Sequence, residues 1–286
     1  MRNFEWRVRQ HSRGATLRER WRQAAENCFA MILVIDIGNS NITFGIFDGD
    51  ELVKRFRAPS NFCAPIDDYL GLIKENMEGL KPEGIIIASV VTDFDYKFKF
   101  ALDKAFGCES LVVTPKTPCN LGIKLDNPME VGADRIANAV GVLEKFGKNA
   151  IVVDFGTATT FEVVTEKREF IGGLITTGLH MQLGALNAKT SKLPKIELYP
   201  PKRAVATNTV DAILSGIVLG NACMIDGMIK KFKAELAPEE YIVVATGGFA
   251  TFIDGYMRES FDYIMPDLTL EGLRAIYNYS LNKVGK

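Results

Sequence analysis

Leu33-Val34-Ile35-Asp36-Ile37-Gly38-Asn39-Ser40-Asn41-Ile42-Thr43 has an echo 118 residues later, in Ile151-Val152-Val153-Asp154-Phe155-Gly156-Thr157-Ala158-Thr159-Thr160-Phe161. Each copy is an apolar run that closes on an acid, turns through a glycine and resumes as a second apolar stretch. That is the pattern of strand, tight turn, strand. The repetition predicts two related domains facing one another, with a ligand between them held by both Asp-x-Gly turns.

Outward from the first copy, Asp48-Gly49-Asp50 supplies the positive φ angles of a hairpin. A third strand, Glu51 to Arg57, completes an antiparallel meander. Helical spacing over Ile66 to Met77, a buried run Gly84 to Val91, a helix over Phe94 to Phe106 and a strand Ser110 to Thr114 follow. Strands alternating with helices indicate an α/β sheet. The second copy continues to strands Phe161 to Thr165 and Phe170 to Ile175, helices after Gly178 and from Asn208 to Leu236, and a strand Tyr241 to Thr246 that enters Gly247-Gly248. The predicted organisation is a basic extension over 1–30, a first α/β domain over 31–145 and a second over 146–286.

A glycine turn directly after a buried strand exposes backbone N–H groups as a concave anion site, and Asn39, Ser40, Asn41 and Thr43 add small polar donors. Asp36 and Asp154 would repel a bare phosphate, so the pairing of acid and turn calls for a cation, with Mg²⁺ neutralising a polyphosphate. The Gly247-Gly248 turn lets backbone approach a flat ring or ribose closely. Neither G-x-x-x-x-G-K-[ST] nor G-x-G-x-x-G occurs, which excludes P-loop and Rossmann nucleotide sites.

Between the copies, Asp126-Asn127-Pro128-Met129-Glu130-Val131-Gly132-Ala133-Asp134-Arg135 leads into a helix whose buried face is read from Ile136, Val140 and Leu143. Asp134 in its first turn is stabilised by the helix dipole, whereas Arg135 there has the wrong sign. For phosphoryl transfer to an alcohol, Asp134 can orient the hydroxyl and accept its proton late, and Arg135 can pair with an acidic substrate or the transferring phosphoryl group.

Composition limits the alternatives. The 286 residues carry 34 Lys and Arg against 35 Asp and Glu, for a net charge of -1, so there is no general drive toward nucleic acid or anionic lipid. No apolar run is long enough to predict a membrane span. With only His11 and His180, a histidine-rich zinc site or a Ser-His-Asp triad is hard to assemble, and His180 is read as packed or solvated. The five cysteines form no C-x-x-C pair, so each is read as a small buried apolar residue in a reducing cytoplasm. Residues 1–30 hold seven Arg, no Lys and both tryptophans, and are read as lying outside the fold, as a disordered arm or a stretch upstream of a start at Met31, with a short amphipathic helix over Ala15 to Ala25 as one option.

The segments Asp36 to Asn41, Asp126-Asn127-Pro128, Glu130 to Arg135, Asp154 to Thr159, Gly172-Gly173, Gly178-Leu179 and Asn208-Thr209-Val210 together resemble the type III pantothenate kinases. These belong to the acetate and sugar kinase/Hsp70/actin superfamily, with two ribonuclease H-like α/β domains around an interdomain nucleotide cleft. The resemblance implies ATP-dependent phosphorylation of pantothenate to 4'-phosphopantothenate, the first step of coenzyme A synthesis. It also implies Mg²⁺, a monovalent cation (K⁺ or NH₄⁺) and a cytoplasmic homodimer. Carried over by position, ATP contacts fall on Asp36, Ile37, Gly38, Asn39, Ser40, Asn41, Ile42, Thr43 and Thr157. Pantothenate contacts fall on Gly132, Ala133, Asp134, Arg135 and Thr209, the last across the subunit interface. Asp134 is the implied proton acceptor and Asp154 the implied monovalent cation ligand, in place of the Mg²⁺ neighbour suggested by the residues alone.

Two positions depart from the family pattern. Leu125 stands where a pantothenate-binding Tyr is common, and Thr177 where Pro is common. The competing readings are a superfamily kinase for another small alcohol and a nucleotide-dependent regulator without turnover.

Overall fold

The computed structural model describes residues 31–189 and 196–284. The N-terminal extension, with its candidate helix, His11 and Cys28, lies outside the described residues.

The first sheet contains β1 (Met31–Ile37), β2 (Asn41–Asp48), β3 (Glu51–Pro59), β4 (Gly84–Ser89) and β5 (Ser110–Val112), in the order β3-β2-β1-β4-β5. Two helices, α1 (Ile66–Met77) and α2 (Thr92–Phe106), cover one face, with Tyr69, Ile73, Phe98 and Leu102 buried against Leu33, Ile35 and Ile85. After the short β6 (Gly122–Ile123) and α3 (Ala133–Phe146), the second sheet is built from β7 (Ala150–Phe155), β8 (Ala158–Thr165), β9 (Glu169–Thr177), β10 (Ile242–Gly247) and β11 (Tyr263–Ile264). Its order, β11-β10-β7-β8-β9, is that of the first sheet, and β6 is added beyond β9. Three helices line its outer face: α4 (Leu179–Lys189), α5 (Thr209–Glu235) and α6 (Ala250–Asp254). The chain closes with α7 (Leu268–Val284).

The duplication extends to irregularities. Both meanders carry a register shift at matching places, between Ile46 and Phe47 and between Val163 and Val164. The copies differ in turn length. Ile37 pairs with Ile42 across four linking residues, and Phe155 with Thr159 across three. The constant offset of the linear alignment therefore needs correction: the structural partner of Thr43 is Thr160, opposite Asp154 as Thr43 is opposite Asp36, and not Phe161.

The α3 helix is buried on more than the one stripe its periodicity predicted. Ile136, Ala137 and Val140 pack with the first sheet, while Ala139, Val142 and Leu143 pack with the second. The physical reason is position, since α3 and α7 form a layer between the two sheets. Their crossing is close: a Cβ on Gly272 would lie 1.9 Å from the Ala137 carbonyl oxygen, so only glycine is accommodated.

Two segments cross the chain division at 145/146. β6, from before it, pairs in parallel with β9 of the second sheet. α7, from after it, packs Leu273 and Ile276 with Ile32, Val34 and Ile86 of the first. The sequence pattern had not revealed β6, α6, β11 or α7.

The α5 helix contains a π-helical turn over Ser215–Leu219 and is long and apolar enough to cross a membrane. Here Leu214, Ile217, Val218, Ala222 and Ile225 pack in the core of the second lobe. The described cysteines are free thiols, and the expectation that all are buried is met at Cys119 and corrected at Cys63 and Cys223, which are exposed, and at Cys108, which is half-buried.

Candidate active site

Both Asp-x-Gly turns open onto one interlobe cavity of about 680 Å³. Its lining brings together Asp36, Gly38, Asn39, Ser40, Asn41 and Thr43 of the first copy with Asp154 and Thr157 of the second, and with Gly132, Asp134 and Arg135 at the start of α3. Parallel pairing of β1 with β4 and of β7 with β10 points the β1 and β7 ends at the cleft, as open α/β sheets do with their ligand sites.

Four expected contacts present no side chain to this chain's cleft. Ile37 and Ile42 have their side chains in the first core, so only their backbone is available to a nucleotide. Ala133 is buried against the first sheet. Thr209 is exposed at the N-terminus of α5 and does not line this chain's cleft. The burial of Ile37 and Ile42 follows from strand alternation, which turns every second residue away from the cleft.

The first turn is clamped by Ser60, the residue after β3. Ser60 donates its hydroxyl to the Gly38 carbonyl at 2.6 Å and its N–H to the Ser40 carbonyl at 3.0 Å, and the Gly38 N–H closes onto the Asn41 carbonyl at 3.0 Å. Across the cleft the Ser40 and Thr157 hydroxyls are hydrogen-bonded.

Asp134 occupies the first turn of α3 behind Gly132. A Cβ at 132 would stand 2.5 Å from Asp134 Oδ1, so glycine is what lets the carboxylate fold back over the helix start. That oxygen accepts the Arg135 N–H at 2.8 Å. Burial raises the Asp134 pKa against the opposing pull of this bond and of the Arg135 charge.

Arg135 lines the cleft, and the protein holds its guanidinium from behind. Its Nε donates to Glu162 Oε1 at 2.9 Å, its Nη2 to the Phe161 carbonyl at 3.2 Å, and the guanidinium stacks over Phe170. Glu162 is fully buried, and desolvation pushes its pKa up to about 8 despite the arginine. This buried pair ties α3 to β8 and had no signal in the sequence, because nothing in a strand pattern marks a charged residue for the interior.

Asp154 also has a partner missed in the sequence. Its Oδ2 accepts from Asn138 Nδ2 at 2.9 Å, and Asn138 Oδ1 accepts from the Thr269 hydroxyl at 2.7 Å. Asn138 is fully buried on α3, a position where an amide needs both ends satisfied.

Burial and the neighbouring acids Asp134 and Asp154 push Asp36 up to about 8, and burial first, then Asp134, pushes Asp154 up to about 6. Like charges that destabilise one another are the condition a cation relieves, so the donor set fits the implied metal ions. No three Asp, Glu, His or Cys side chains among the described residues enclose a metal site by themselves. The donors suit an ion that substrate oxygens help to hold, as Mg²⁺ is held on nucleotides.

His180 is exposed, lines the cleft and meets Phe249 edge-on at 4.9 Å, beside the Gly247-Gly248 turn. Leu125 is half-buried between the two inner cores and does not line the cleft.

Two lobes of the same strand order, with a glycine turn from each on a shared cleft, make a duplicated ribonuclease H-like α/β fold with an interlobe ligand site. Similar folds are found in a conserved protein of the Baf transcriptional-activator family from Campylobacter jejuni (TM-score 0.56, 20% identity, 87% of this chain and 99% of that one) and in a ROK family glucokinase from Streptomyces griseus (TM-score 0.50, 11% identity, 88% and 99%). The family model for type III pantothenate kinase matches residues 32–231. Type III pantothenate kinases from Halalkalibacterium halodurans and Moorella thermoacetica are each 42% identical to this chain, over 86% of it and 98% of their own length. The chain belongs to the type III pantothenate kinase family, enzymes that phosphorylate pantothenate in coenzyme A synthesis.

Proposed function

We propose that the interlobe cleft transfers the terminal phosphoryl group of ATP to the primary hydroxyl of pantothenate, with Asp134 as proton acceptor. The observation that carries this reading is the Asp134 carboxylate facing the same cavity as both glycine turns. The triphosphate lies along 38–41 and Thr157, where backbone N–H groups and small polar side chains meet phosphate oxygens. A bond forms between the pantothenate oxygen and the terminal phosphorus. The bond from that phosphorus to the bridging oxygen breaks, its electron pair leaves with ADP, and the hydroxyl proton passes to Asp134. A loose transition state asks little basicity of the acceptor, and a raised carboxylate pKa suits the task.

Mg²⁺ on the nucleotide and a K⁺ or NH₄⁺ held by Asp154 would supply positive charge for the phosphates. Asn138 orients the Asp154 carboxylate for the monovalent ion. Gly132 and the start of α3 form one wall of the pantothenate site.

The enzyme acts as a soluble cytoplasmic homodimer and requires no nucleic acid. Support for the dimer comes from α5, where Ala212, Gly216, Gly220, Cys223 and Gly227 form an exposed stripe of small residues along one face. Thr209, exposed three residues before Ala212 at the start of the same helix, lies next to that stripe. Light scattering of the purified chain reads the assembly directly.

The test of the chemistry is incubation with ATP, Mg²⁺, K⁺ and pantothenate, with phosphopantothenate detected by mass spectrometry. Asp134→Asn is expected to lower kcat by about 10²–10⁴-fold. Equal turnover by parent and variant would remove Asp134 from the role. Transfer to a different small alcohol in preference to pantothenate would favour the other-substrate reading.

A further inference from the structure

The cleft contains a cation that none of the motifs includes. Arg57 lies on β3, the edge strand of the first sheet, directly opposite Thr43, which is itself opposite Asp36. Paired residues on neighbouring antiparallel strands share a face. Asp36, Thr43 and Arg57 therefore form one row across the sheet, and all three line the cavity. Arg57 is exposed, and among the described residues none stands within ion-pair or hydrogen-bond distance of its guanidinium. Its neighbour Arg55, by contrast, is paired with Asp267 at 2.5 Å.

The second lobe has the same row with a different end. Asp154 pairs with Thr160, and Thr160 with Ile175. The duplication retains acid and threonine in both lobes but sets arginine at the end of one row and an exposed isoleucine at the end of the other. The row with the arginine is the one beside the longer, donor-rich turn. Arg57 also borders a second cavity of about 410 Å³ that it shares with Gly247 and Gly248. It thus stands between the first phosphate turn and the turn read as the nucleoside site.

We propose that Arg57 is a further phosphate-binding residue of this kinase, taking the terminal phosphate of the nucleotide with its guanidinium. The proposal rests on the reading of the two glycine turns as ATP phosphate turns. A planar fork of donors suits phosphate oxygens and spreads positive charge over the group being transferred. An arginine whose guanidinium has no ion pair or hydrogen bond among the described residues meets that anion without first breaking one. The other anion in the reaction, the carboxylate of pantothenate, presents the same chemistry, so the two substrates must be varied separately.

The experiment compares the parent with Arg57→Gln and Arg57→Lys, and with Ser40→Ala and Thr157→Val as probes of the turns. ATP and pantothenate are each titrated at saturation of the other, and AMPPNP and AMP binding are measured by calorimetry. Arg57→Gln is expected to raise KM for ATP about tenfold or more and lower kcat, with KM for pantothenate unchanged. AMPPNP binding weakens, AMP binding does not, and Arg57→Lys recovers part of the loss. Melting temperatures report the fold, and a loss of stability without the ATP-specific change overturns the proposal. A change confined to KM for pantothenate also overturns it and moves Arg57 to the acceptor. If Ser40→Ala and Thr157→Val weaken ATP binding while Arg57→Gln does not, the proposal fails alone. If none of the three does, the reading of the turns fails and takes the proposal with it.

Discussion

The Ser40 hydroxyl of the first glycine turn lies 2.9 Å from the Thr157 hydroxyl of the second, one hydrogen bond spanning the two lobes at the point where the triphosphate is read to lie. A neutral hydroxyl pair contributes about 1 kcal/mol net, whereas bonds to a charged phosphate are about twice as strong. A nucleotide arriving there exchanges the weaker bond for stronger ones. Ser40→Ala and Thr157→Val are each expected to raise KM for ATP about tenfold. The double variant should fall short of the product, because the partners share one ligand. Additive losses in a double-mutant cycle would separate the two hydroxyls.

The Thr269–Asn138–Asp154 chain makes the proposed monovalent-ion role of Asp154 testable. Removing groups that orient a ligand commonly costs 10–100-fold in ion affinity. Asn138→Ala is expected to raise the K⁺ concentration for half-maximal activity by about tenfold. Thr269→Val, which removes only the hydroxyl that Asn138 Oδ1 accepts from, should do so to a smaller degree. K⁺ titrations identical to the parent would show that Asp154 does not need this support.

The Arg135–Glu162 pair makes a prediction about stability. With the glutamate side chain fully buried and the arginine side chain 14% exposed, loss of one partner strands a charge in the interior. Glu162→Ala is expected to destabilise the fold by about 3–5 kcal/mol in urea denaturation, and Glu162→Gln, which still offers an oxygen to Arg135 Nε, by less. Equal small effects of both would mean that Arg135 finds solvent when released.

Asp36 should make nucleotide binding pH-dependent. Burial and the neighbouring acids push its pKa up to about 8, against about 4 in an unfolded chain. A native state that holds the proton more tightly has this contribution to stability in full below about pH 4, and loses it as pH rises toward about 8. The magnesium nucleotide favours the carboxylate, so its affinity is expected to increase with pH up to about 8 and its binding to release protons. Calorimetry in buffers of different ionisation enthalpy measures the release, and Asp36→Asn should diminish it. Proton uptake on binding would reverse the assignment.

Much of this was legible in the chain because it is local. A strand that ends in Asp, followed by glycine and small polar residues, specifies its turn through backbone geometry alone, and the echo at Asp154 declared a duplicated fold. The amphipathic spacing after Gly132 set Asp134 at a helix start for the same reason.

Tertiary structure decided what depends on contacts between distant residues. No pattern at Ile136 to Leu143 distinguishes a helix covered on one side from one clasped between two sheets. The one-residue difference between the turns appears only in the strand register, and the cross-lobe exchange of β6 and α7 only in pairing and packing. Arg57, Asn138 and Glu162 look ordinary in sequence because their roles arise from what stands opposite them. Hydrophobic spacing and turn chemistry act over a few residues, whereas a charge acquires its partner only when the folded sheets bring remote parts of the chain within a few ångströms.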